Sequence, residues 1–127
     1  MTARVVAFSA ATEGMTGLAS LLVPSVVTRL LLGADLPGAG PLVVRCFGVA
    51  LVAMAIACWP RDTHAEPPMQ ALRALVVYNA MIAALLGYAG AGLHLGGPLL
   101  WPAVVVHAIV AGLLVAAGRA RGTATSA

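Results

Sequence analysis

The chain contains four apolar runs, each long enough to cross a bilayer, separated by short segments of turn-forming residues. A hydrocarbon core about 30 Å thick needs roughly 20 helical residues to span it. Inside that core no water pairs with the backbone, so each run has to satisfy its own N–H and C=O groups as a helix. The spacing predicts helices over about 5–27, 41–59, 70–93 and 99–117. Gly33-Ala34-Asp35-Leu36-Pro37-Gly38 ends the first, Pro60-Arg61-Asp62 stops the second, and Gly96-Gly97-Pro98 reverses the chain between the third and fourth. The expected fold is an all-α, four-helix transmembrane bundle. Its connectivity is expected to be antiparallel and up-down, with both termini on one side and a frayed tail over 118–127.

Composition narrows the function classes. With 61 % hydrophobic and 9 % charged residues, a soluble domain of this sequence would precipitate, and beside four spans no separate soluble domain is expected within these 127 residues. The net charge of +3 is the balance of seven scattered arginines, with no lysine, against four acidic residues. That pattern lacks the clustering of a nucleic-acid surface, so nucleic acid is not an expected partner. The first run is read as a retained span, because Glu13 falls where a signal peptide needs an uncharged core. Arg4, Arg61, Arg73, Arg119 and Arg121 fall on one side and Arg29 and Arg45 on the other, which predicts cytoplasmic termini in a bacterial inner membrane.

Lipid tails are as apolar as leucine, so the spans associate through close backbone approach. Small residues occur at one-turn spacing: Ala10 and Gly14 on the first span, Ala80, Ala84, Ala83, Gly87 and Ala91 on the third, and Ala108, Gly112 and Ala116 on the fourth. These predict close packing among the first, third and fourth spans. The general abundance of Ala and Gly supplies some such pairs by chance.

The few polar side chains inside the spans carry the most information, because each costs a few kcal/mol if turned to lipid. Counting about 1.5 Å per residue places Glu13 roughly 12 Å into the core, Asn79 roughly 14 Å and His107 roughly 12 Å from the opposite face. Glu13, Asn79 and His107 therefore converge on one depth. Ser9, Glu13, Thr16 and Ser20 follow one helical face, a polar stripe directed at the interior. Two readings of the cluster stand side by side. It is a proton-sensitive or ligand-binding site, or it is a hydrogen-bonded group that fixes helix register.

Arg45, about one turn inside the second span, is expected to snorkel to the headgroups; the alternative turns it inward toward an anion or Glu13. Tyr78 points about 100° away from Asn79 and is read as packing or as an interhelical hydroxyl donor. Trp59, Tyr88 and Trp101 fall near helix ends, where amphipathic rings anchor in the interface. His64, His94 and His107 are dispersed, and Met54 near the depth of His107 is read as a space filler, so no metal, haem or other cofactor is expected. Cys46 and Cys58 are separated by roughly 18 Å of helix, too far for a disulfide. Serine-nucleophile, phosphate-loop and CxxC motifs do not occur, which makes an enzyme the weaker class.

Glu13-Gly14, Pro24, Arg45-Cys46-Phe47-Gly48 and Trp101-Pro102, with the length and helix count, resemble small bacterial four-helix inner-membrane proteins of the DoxX-like kind. That resemblance implies a non-catalytic subunit or accessory role beside other membrane or redox proteins and carries over no catalytic residue. The early glutamate is also similar to that of small multidrug-resistance transporters. Here Tyr78-Asn79-Ala80-Met81-Ile82 departs from their third helix, and His107 has no counterpart in them. This second resemblance implies proton-coupled movement of a small cation or lipophilic molecule by an oligomer. The partners expected are the lipid bilayer and either other membrane subunits or further copies of the chain.

Overall fold

The computed structural model describes residues 2–62 and 66–124. Over these residues the chain is helical, with α1 (Thr2–Leu22), α2 (Pro24–Leu32), α3 (Gly40–Cys58), α4 (Met69–Ala91) and α5 (Leu100–Ala124). Among them α1, α3, α4 and α5 are long and apolar enough to cross a membrane. The second, third and fourth spans begin within one residue of their expected positions.

The two boundaries that differ most do so for physical reasons. The first run does not continue to residue 27: it breaks at Val23, whose backbone leaves the helical region (φ −134°, ψ 56°), and Pro24 starts α2. Proline has no amide proton for the carbonyl four residues back and its ring crowds that carbonyl, but at the first position of a new helix it is tolerated. The last helix does not end at 117 but runs to Ala124. Arg121 holds its end, with Nε 2.7 Å from Glu66 Oε2 and Nη1 donating to the Pro67 carbonyl at 2.9 Å. These contacts fasten α5 to the segment that enters α4.

The helices associate as two close pairs, α1 with α3 and α4 with α5, which touch each other over less surface. Glycine makes the first pair: a Cβ at Gly17 would lie 2.8 Å from the Gly48 carbonyl oxygen, and one at Gly14 would lie 3.3 Å from Ala55 Cβ. In the second pair, Gly90 leaves room for Leu100 and the Trp101 ring. The expected small-residue stripes are thereby corrected in part. Ala80, Ala84, Ala91, Ala108, Gly112 and Ala116 are exposed, and nothing lies within 4 Å of a Cβ placed at Gly87 or Gly112. Spacing puts small residues on one face but cannot say whether that face looks inward or at lipid.

All four spans meet in an apolar layer of Val6, Cys58, Ala71, Leu72, Leu75, Val110 and Leu114, with Met54 packed against it. At the other end of the bundle the backbone does the joining. The C-terminal carbonyls of α2 accept from the segment between α4 and α5: Gly96 N–H to Leu32, Gly97 N–H to Leu31 and Leu99 N–H to Leu30, at 3.2, 3.1 and 2.8 Å. Helix ends leave such carbonyls unpaired, so this loop acts as the cap. Gly33, at φ +72°, and Gly97 sit where a Cβ would collide with the opposing backbone. Elsewhere the spans present apolar side chains outward, among them Phe8, Met15, Ile56 and Val77. Trp59, Tyr88 and Trp101 are exposed near helix ends, and His64 lies outside the described residues.

Candidate functional site

Between the apolar layer and the backbone cap lies a polar centre built by α1, α4 and α5. Ser9, Glu13 and Asn79 are each 1 % exposed. Asn79 is the hub. Its Nδ2 donates to Ser9 Oγ at 3.0 Å and to the Leu75 carbonyl at 2.9 Å, while its Oδ1 lies 2.8 Å from His107 Nδ1. A backbone carbonyl only accepts, so the amide nitrogen is the atom directed at Leu75 and the oxygen faces His107. Oδ1 is then the acceptor and Nδ1 carries the proton. One side chain of α4 thus ties α1 to α5.

Glu13 enters the centre from α1. Its Oε1 is 3.9 Å from His107 Nδ1, an ion-pair distance if the imidazole is protonated but too long for a hydrogen bond. The Tyr78 ring meets the His107 ring edge-on, centroids 5.9 Å apart at 76°. Glu13, Asn79 and His107, placed at one depth by counting, are therefore neighbours, and Tyr78 joins them. The expectation that Tyr78 and Asn79 serve different surfaces is corrected. Adjacent residues do diverge by about 100°, but Asn79 bonds Ser9 and His107 while the longer tyrosine meets the same His107 ring edge-on.

The remaining stripe residues take other places. Ser20 is fully buried, seven residues beyond Glu13 toward the α1–α2 break, and its Oγ has no hydrogen-bond partner among the described residues. Thr16 is half-buried, and Thr12 donates back to the Phe8 carbonyl at 2.9 Å. Arg45 neither reaches Glu13 nor extends freely. Its Nε donates to the Leu21 carbonyl at 3.1 Å, on the last turn of α1 where Pro24 interrupts the helical ladder. Beyond the break, Arg29 clasps Asp35, with Nε to Oδ1 and Oδ2 at 2.9 and 3.0 Å and Nη2 to Oδ2 at 2.7 Å.

The crevice lined by Phe8, Ser9, Thr12, Glu13, Asn79, Val106, His107 and Val110 is too narrow to admit a water molecule. Asn79 is bonded to Ser9, the Leu75 carbonyl and His107, and Thr12 to the Phe8 carbonyl. Among the described residues no three His, Cys, Asp or Glu side chains are grouped for a metal ion. The arrangement sets a carboxyl and an imidazole 3.9 Å apart and, through Asn79, ties three helices in register. No protein-family model matches the chain, nor does any curated protein or solved structure.

Proposed function

We propose that the chain is a multi-pass protein of a bacterial inner membrane and acts as a non-catalytic subunit or accessory factor of a membrane assembly. The observation that carries this reading is the polar centre, which is filled by its own side chains and leaves no room for a substrate. A second observation agrees with it: within the apolar stretch of each span only 17–33 % of residues are buried, so most of the surface is offered to lipid or to other subunits. The arginine distribution supports antiparallel spans with cytoplasmic termini. The DoxX-like resemblance points to the same role, with the assembly a redox or other membrane complex.

Proton-coupled transport of a small cation or lipophilic molecule by an oligomer is the second reading. It is favoured by one feature: Glu13 and His107 face each other at 3.9 Å across the seam where the α1–α3 pair meets α4 and α5. A protonation change there would act on the least extensive contact in the bundle. Two measurements separate the readings. Proteoliposomes with a trapped pH dye report proton flux, and the size of the chain extracted from its native membrane in mild detergent reports its assembly. The accessory reading expects no flux above empty liposomes and a defined assembly containing a second polypeptide. Flux that Glu13→Gln abolishes, from an assembly of this chain alone, replaces it with transport.

A further inference from the structure

A groove of about 330 Å³ opens between α1 and α5, walled by Val5 and Phe8 on one side and Val106, Ile109, Val110 and Leu113 on the other. Its volume is at the low end of small-molecule sites. Its walls are apolar except for Arg4, which lines it. Arg4 is exposed, and among the described residues it makes no hydrogen bond or ion pair. Arg4 precedes Glu13 by nine residues, about 14 Å along the helix, which sets it at the hydrocarbon boundary if Glu13 is near the midplane. Phosphates of the surrounding leaflet lie just beyond that boundary. Phe8, Val106 and Val110 line both this groove and the narrow crevice beside Glu13 and His107, so whatever fills the groove covers the outer side of the polar centre.

We infer that this groove is a binding site for an anionic phospholipid of the bilayer, one acyl chain lying between α1 and α5 and the phosphate held by Arg4. The two halves of the site match the two halves of the ligand. An apolar channel whose rim carries an unpaired guanidinium suits a chain ending in an anion, and guanidinium pairs with phosphate through two parallel hydrogen bonds. A soluble apolar ligand would leave Arg4 unused, and a zwitterionic lipid would oppose it with its own cation. The inference is independent of whether the chain serves a complex or moves a proton.

The test is lipid binding to the purified full chain in uncharged detergent, followed by native mass spectrometry. The probes are phosphatidylglycerol and phosphatidylcholine with identical acyl chains, and glycerol phosphate as a headgroup without a chain. The wild type is expected to prefer phosphatidylglycerol by about five-fold, the size that one arginine near an anionic surface supplies. Arg4→Gln should bring it to the phosphatidylcholine level, and Ile109→Trp, which fills the groove, should weaken both lipids. Leu113→Phe narrows the same groove if the tryptophan variant does not fold. Equal binding of the two lipids, a preference that survives Arg4→Gln, binding unchanged by a filled groove, or glycerol phosphate binding as well as the lipid would each overturn the proposal.

Discussion

Gly17 of α1 and Gly48 of α3 face each other so closely that neither position has room for a side chain. A Cβ at Gly17 would come 2.8 Å from the Gly48 carbonyl oxygen, and one at Gly48 would come 2.7 Å from the Gly17 carbonyl oxygen. The obstacle in each direction is backbone, which cannot swing aside as a flexible side chain can. In lipid, such approach supplies the dispersion contact that the hydrophobic effect cannot.

Gly17→Ala and Gly48→Ala should each destabilise the purified protein by about 1–3 kcal/mol, the usual cost of overpacking. Gly112→Ala, where a Cβ meets nothing within 4 Å, is the control. It should be neutral or slightly stabilising, since alanine is the better helix former. Thermal unfolding in detergent followed by circular dichroism separates the two classes. A Gly112→Ala loss as large as the others would show that general glycine sensitivity, not the α1–α3 contact, is being measured.

Gly97→Ala should be more damaging than Gly38→Ala. Both are loop glycines, but Gly38, at φ +60°, has open space around it, whereas a Cβ at Gly97 collides with the Leu30 and Arg29 carbonyls. Gly38→Ala bears only the left-handed backbone strain of roughly 1–2 kcal/mol. Gly97→Ala must also part the α4–α5 loop from α2, breaking the Gly96, Gly97 and Leu99 bonds to its carbonyls. Amide hydrogen exchange at these three residues, protected in the wild type, should rise in Gly97→Ala and stay unchanged in Gly38→Ala.

Asn79→Leu should cost about 1–3 kcal/mol, because it removes the Ser9 and Leu75 bonds and leaves His107 Nδ1 without its 2.8 Å acceptor. Ser9→Ala should cost less than about 1 kcal/mol, since Asn79 Nδ2 keeps the Leu75 carbonyl. The ordering is the discriminating result, read from unfolding midpoints. Equal effects would mean that α1 is held to α4 and α5 chiefly by Ser9.

Arg45→Met should loosen the α1–α2 break by removing the donor to the Leu21 carbonyl. The site is exposed, so the global loss should be small, about 0.5–1.5 kcal/mol. The local signature is sharper: exchange of α2 amides should accelerate while those of α4 do not. Uniform acceleration in both helices would assign Arg45 a global role instead.

The hydrogen bonds from Arg29 hold the Asp35 carboxyl below the usual carboxylate range. A depressed folded value means that the pair's stabilisation is fully present above the unfolded value of about 4 and is lost as pH falls through the folded one. Asp35→Asn should therefore flatten the stability profile on the acid side of about pH 4 and leave the slope at neutral pH unchanged. Because both side chains are exposed, the effect should be small and should shrink further in 1 M salt. An Asp35→Asn profile parallel to wild type down to about pH 2 would show that the pair contributes nothing to folding.

The spans and the depth of their polar groups could be read along the chain because both follow from counting: apolar length against a fixed hydrocarbon thickness, and a constant rise per residue. Glu13, Asn79 and His107 share a depth for that reason, before any contact is known. Helix rotation and pairing are different quantities. They depend on which faces fit together, and in a chain where small residues are common on every face, periodicity cannot distinguish Gly17 against Gly48 from Gly112 against lipid. Tertiary structure alone decided that Tyr78 meets His107, that Arg45 closes the proline break, and that the α4–α5 loop caps α2. Each of these contacts joins groups far apart in sequence, or turns on the reach of one side chain around a helix, and neither is written in local spacing.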